Sequence, residues 1–147
     1  MYGPTAERFV VANLRLLALS FAIVGVLFIA APDGVLNVID DVGDWFGGFA
    51  SAPDTVEKFW LALGFAYMVV ITGICVLVAT DVVRYRPLLL VLAAGKAASS
   101  VGALCFFVFD QNVFIYLLNF IVDGSLVGVA LLLHTLAGRV DEPAAPS

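Results

Sequence analysis

Four apolar stretches, each near the length that crosses a bilayer, constrain this chain more than any other feature. A hydrocarbon core of about 30 Å needs roughly 20 residues of helix at 1.5 Å each. Within one segment, a helix is the structure that satisfies all of its own backbone groups there. The stretches run over about 9–31, 59–79, 87–109 and 113–137. Composition agrees: the chain is 63% hydrophobic and 13% charged, with a mean hydropathy of +1.08, against about a quarter charged residues in a soluble domain. The sequence therefore predicts an all-α, integral membrane four-helix bundle, one transmembrane domain over 1–147. The lipid bilayer is its first partner.

The ends of the spans carry their own signals. Pro32-Asp33-Gly34 reads as a stop after the first. Asp54-Thr55-Val56-Glu57, with Pro53 upstream, reads as a capping-box variant opening the second. Pro87 suits the first position of the third, Asp110-Gln111-Asn112 is a short turn into the fourth, and Gly138 ends it, leaving 140–147 as a disordered polar tail. Phe28-Ile29-Ala30-Ala31 lacks a small-x-small cleavage site, so the first span reads as an uncleaved anchor.

Orientation follows from the basic residues, which favour short cytoplasmic segments. With both termini inside, the cytoplasmic face holds Arg8, Arg15, Arg84, Arg86 and Arg139, and the outer face holds only Lys58. The expected location is a cell membrane. A preference for Arg over Lys, with much Ala, Val, Gly and Asp, points to a GC-rich prokaryotic genome and hence to an inner membrane.

Between the first two spans lie about 27 residues, long enough to expect structure of their own. Val35, Val38, Ile39, Val42, Trp45, Phe46 and Phe49 recur at helical spacing, with Asn37, Asp40, Asp41 and Asp44 on the other side. This predicts an amphipathic helix over about 35–50 on the outer surface, with Gly47-Gly48 turning the chain back. Its polar face is acidic, so apolar area or a protein neighbour must hold it there. Trp45, Phe46 and Trp60 suit the interfacial aromatic belt. The segment reads as a cap on the bundle, a docking surface, or an acidic vestibule for cations.

Two charges fall where charges are expensive. Lys96 lies 14 residues before Asp110 and Asp123 lies 13 after it, so on antiparallel neighbours both sit roughly 20 Å from the turn, near mid-membrane. A lone charge there costs about 2.5 to 3.5 kcal/mol even on the lenient insertion scale. The matched depths predict an ion pair. Ser99 and Ser100 follow Lys96 by three and four residues; Asn119 and Tyr116 precede Asp123 by four and seven, so both helices carry polar stripes. Gly95, Ser99 and Ala103, and Gly124 and Gly128, supply small residues for close approach. One reading is polar glue that fixes pairing and register; the other is a proton or ion relay or ligand site. A Ser-Lys dyad of Ser99 or Ser100 with Lys96 is a minor third. A weaker cluster of Arg15, Asp81 and His134 is expected at the cytoplasmic interface if helices one, two and four converge there.

Several chemistries find no support. Seven basic residues against twelve acidic ones leave no nucleic-acid footprint. Cys75 and Cys105 have no C-x-x-C spacing and lie roughly 15 Å apart along the membrane normal, which forbids a disulfide. One histidine, and no clustered Cys or acidic ligands, makes a catalytic metal or haem site improbable. No cofactor is expected. The leading expectation is an accessory or structural subunit of a larger membrane complex, binding other membrane subunits or copies of itself. The alternative is an oligomeric proton- or ion-coupled transporter or channel using Lys96 and Asp123, and a membrane enzyme comes third.

Overall fold

The computed structural model describes residues 3–53 and 58–140. The predicted capping box at 54–57 and the tail beyond Val140 lie outside the described residues. Among the described residues the chain is all helical, with no strand: α1 (Pro4–Ala30), α2 (Pro32–Phe46), α3 (Lys58–Thr80), α4 (Leu88–Phe109) and α5 (Phe114–Gly138). All but α2 are long and apolar enough to cross a membrane.

The first span ends directly before Pro32-Asp33-Gly34, as the stop reading requires, but Pro32 also starts a helix. Only Ala31, with φ −148° and ψ 58°, separates α1 from α2, and Pro32 occupies the first turn of α2, where its missing N–H costs no hydrogen bond. Helix α2 therefore begins three residues before the expected 35. It also ends early, at Gly47 (φ 69°) and Gly48 (φ 82°), a left-handed backbone that glycine adopts without steric cost. Likewise α1 starts at Pro4 rather than Phe9. Phe49 is left outside α2 and packs its ring against Phe107 and Phe114. The returning chain is stitched to the α4–α5 turn: Ala50 N–H donates to the Asn112 carbonyl at 2.8 Å, and Asn112 Nδ2 to that of Gly48 at 3.2 Å.

The four long helices pack as two intimate pairs, α1 with α3 and α4 with α5, which meet each other over shorter stretches. At the end of the bundle where α1 begins and α5 finishes, the pairs close on a solid core of Val10, Leu14, Cys75, Val78, Leu89 and Leu133, each at most 1% exposed. Arg86 ties the α3–α4 connection to α5 there, its Nε donating to the His134 carbonyl at 2.9 Å. Gly138 leaves the guanidinium room, since a Cβ would sit 2.7 Å from it. At the opposite end, under α2, the pairs splay.

Candidate functional site

Lys96 Nζ lies 2.9 Å from Asp123 Oδ1, and the two side chains are 2% and 7% exposed. The pair joins α4 to α5 as their matched depths require. Two aromatic rings complete the surroundings of the ammonium: the Phe21 centroid lies 4.8 Å from Nζ and that of Tyr67 5.4 Å, both within the range of cation–π attraction. Four helices thus meet at one nitrogen, α4 supplying the lysine, α5 the carboxylate, α1 Phe21 and α3 Tyr67.

The flanking polar residues of the two stripes also meet. Asn119 Nδ2 donates to Ser99 Oγ at 3.2 Å, and Ser100 Oγ donates to the Phe120 carbonyl at 2.8 Å. Neither serine hydrogen-bonds to Lys96, so the Ser-Lys nucleophile is not assembled. Tyr116 stands toward the α2 end, its ring 5.7 Å from that of Phe106. Of the small residues, Gly124 serves close approach, a Cβ there lying 3.2 Å from Ser100 Oγ; Gly95 instead faces the Tyr67 hydroxyl, and a Cβ at Gly128 would meet nothing.

Above the pair, the splay between the two helix pairs opens a cavity of about 950 Å³ reaching up to α2. Its walls from α1, α2 and α3 are apolar, with Phe21, Val24, Ile39, Trp60 and Met68 among them. Apart from the indole N–H of Trp60, its polar side chains, Lys96, Ser99, Tyr116, Asn119 and Asp123, come from α4 and α5. The cavity is amphipathic, with one polar seam facing an apolar wall. Below the pair the core is packed and largely apolar, with Leu14, Ile71, Leu92 and Leu133 at most 2% exposed and, among the described residues, the Thr72 hydroxyl buried without a partner.

The α2 residues divide differently from their sequence pattern. The helix seats on α5 along a narrow line: Gly43 is buried against Phe114, where a Cβ would come within 2.7 Å of the Phe114 Cβ. Phe46 stacks on Phe114 at 5.8 Å yet stays 72% exposed, and Trp45 is 91% exposed. At 100° per residue, the Gly43 line takes Leu36 and Ile39 inward and leaves Val38, Val42 and Trp45 outside. Asp40 is not a solvated face residue; its Oδ2 accepts the Ala52 N–H at 2.7 Å, and its buried Oδ1 has no partner. Asp41 and Asp44 are exposed.

Arg15, Asp81 and His134 have different neighbours. Asp81 accepts the Arg84 N–H at 3.0 Å, His134 exchanges contacts with Arg86, its Nδ1 3.3 Å from the Arg86 carbonyl, and Arg15 is exposed beside Glu7 and Arg8. The α3–α4 connection delivers Arg86 to the site where Asp81 was expected. Sequence reasoning passed over Phe21, Tyr67, Gly43 and Arg86. A depth count finds the first two: Phe21 precedes the end of α1 by nine residues and Tyr67 follows the start of α3 by nine. Both cysteines are free, and among the described residues no three His, Cys, Asp or Glu side chains gather as a metal site requires. Comparison of the chain with protein-family models, with curated proteins and with solved structures gives no match.

Proposed function

We propose that this is a multi-pass protein of a prokaryotic inner membrane, with both termini cytoplasmic and α2 on the outer surface. In this reading it serves as an accessory subunit of a larger membrane complex. The orientation is supported by the five arginines at the end where α1 begins and α5 finishes. The exposed Val38, Val42 and Trp45 beside the exposed Asp41 and Asp44 suit a helix lying at the interface, held by apolar area.

The observation that carries the subunit reading is the ion pair with packed core beneath it. A relay needs a chain of polar groups on both sides of its central charge, whereas among the described residues the packed core beneath Lys96 and Asp123 offers only the buried Thr72 hydroxyl. The pair is better suited to fixing which helices meet and in what register. Native mass spectrometry of protein gently extracted from its own membrane should find it with foreign subunits in fixed stoichiometry, and deletion should lower assembly of that complex. An intact complex after deletion would count decisively against the role.

The transporter reading keeps one supporting observation, the cavity that reaches the pair from one side. For it, Asp123→Asn in proteoliposomes should abolish pH-dependent flux while leaving the protein folded. Unchanged flux removes it.

A further inference from the structure

We infer that the cavity above the ion pair binds one molecule of a neutral, single-chain amphiphile, its hydroxyl or carbonyl end at Ser99 and Asn119 and its apolar body against α1 and α3. This goes beyond the subunit reading and shares with it only the membrane setting.

Three observations carry the inference. Size comes first: helix bundles pack as densely as organic crystals, yet about 950 Å³ stays open here, at the upper end of ligand pockets. Water can wet the polar seam but gains no hydrogen bonds along the facing apolar wall. Second, the lining is two-sided. The α1, α2 and α3 walls are apolar, while the α4–α5 seam retains hydrogen-bonding capacity: among the described residues the Ser99 hydroxyl accepts from Asn119 but donates to no group, and the Tyr116 hydroxyl makes no hydrogen bond. A ligand must therefore be apolar along its length and polar at one place. Third, the charges cancel. Lys96 and Asp123 already neutralise each other at 2.9 Å, so a charged head would enter a low-dielectric site with no free counter-charge, a heavy desolvation cost. A neutral head meets no such cost. The dimensions suit a chain of about ten carbons: Trp60 lies about four residues, ~6 Å, above Ser99 in depth and about 8–10 Å across on another helix, a diagonal of ~10–12 Å.

The test uses the full chain as Trp45→Phe, which leaves Trp60 as the sole tryptophan, in phosphatidylcholine nanodiscs. Trp60 lines the cavity and reports by quenching. The probe is ω-bromoundecanol, whose bromine quenches when the hydroxyl sits at Ser99. Expected is saturable quenching above the linear background of bilayer partition, with one probe per chain. ω-Bromoundecyl sulfate and ω-bromoundecyltrimethylammonium should give only the linear background. Gly102→Leu, at a cavity-lining position where a Cβ would meet nothing within 4 Å, should weaken the saturable component at least tenfold. Ser99→Ala with Asn119→Leu should weaken it severalfold. Native mass spectrometry of the unaltered chain with ω-bromoundecanol should show a single adduct, independent of any variant's folding. Purely linear quenching by the alcohol, no adduct, or equal quenching in a folded Gly102→Leu protein overturns the site. Tighter binding of either charged analogue overturns the neutral head. None of these readouts depends on complex assembly, so the subunit reading stands or falls separately.

Discussion

At the scale of single residues, the chemistry turns on one nitrogen. Lys96 is stable in an apolar interior only while Asp123, Phe21 and Tyr67 surround it, and removal of one partner leaves the other charge buried and uncompensated. Lys96→Met alone should therefore destabilise by about 3–5 kcal/mol, more than Lys96→Met combined with Asp123→Leu, because the double change strands no charge. Equal losses in reversible unfolding would refute the energetic pairing. Tyr67 offers the converse case. Its hydroxyl is buried without a partner, so Tyr67→Phe removes an uncompensated polar group while keeping the ring beside Lys96. Stability should hold or rise by up to ~1 kcal/mol; a clear loss would mean that the hydroxyl has a partner in the membrane.

At the scale of elements, the attachment of α2 depends on a missing side chain. A Cβ at Gly43 would lie 2.7 Å from the Cβ of Phe114 and 2.9 Å from its Cγ, and the Cβ, fixed to the backbone, cannot turn away. Gly43→Val should lift α2 from α5 at a cost of about 1–3 kcal/mol, with faster hydrogen exchange confined to α2 and the segment after it. Unchanged exchange would show that α2 is held elsewhere. At the other end of the bundle, Arg86→Ala should cost about 1–3 kcal/mol by removing a charge-assisted hydrogen bond to the His134 carbonyl and emptying the space at Gly138; a loss below 0.5 kcal/mol in the same unfolding assay would mark the contact as incidental.

At the scale of the whole molecule, two helix pairs close at one end and part at the other, so the same four helices form a packed core and a cavity. The proposed topology sets which end faces which side. In a Cys75→Ala, Cys105→Ala background, Ser51→Cys should react with a membrane-impermeant maleimide on intact cells, and Val140→Cys only after permeabilisation. The opposite pattern would invert the protein. The sequence by itself determined the four long helices, since apolar length and internal hydrogen bonding in hydrocarbon permit little else, and the Lys96–Asp123 pair, since a tight turn equates depths on either side of it. Small differences at Pro4 and Pro32 arose because proline begins helices as readily as it ends them, and the early end of α2 arose because Gly47 and Gly48 take positive φ. Only the tertiary structure decided how the helices associate: α1 with α3 and α4 with α5, Phe21 and Tyr67 at the lysine, Arg86 rather than Asp81 near His134, and a cavity above the pair. Those outcomes depend on which faces of apolar helices meet, and when nearly every face is apolar the hydrophobic pattern cannot choose among them; close packing at Gly43, Gly124 and Gly138 and the few polar groups do.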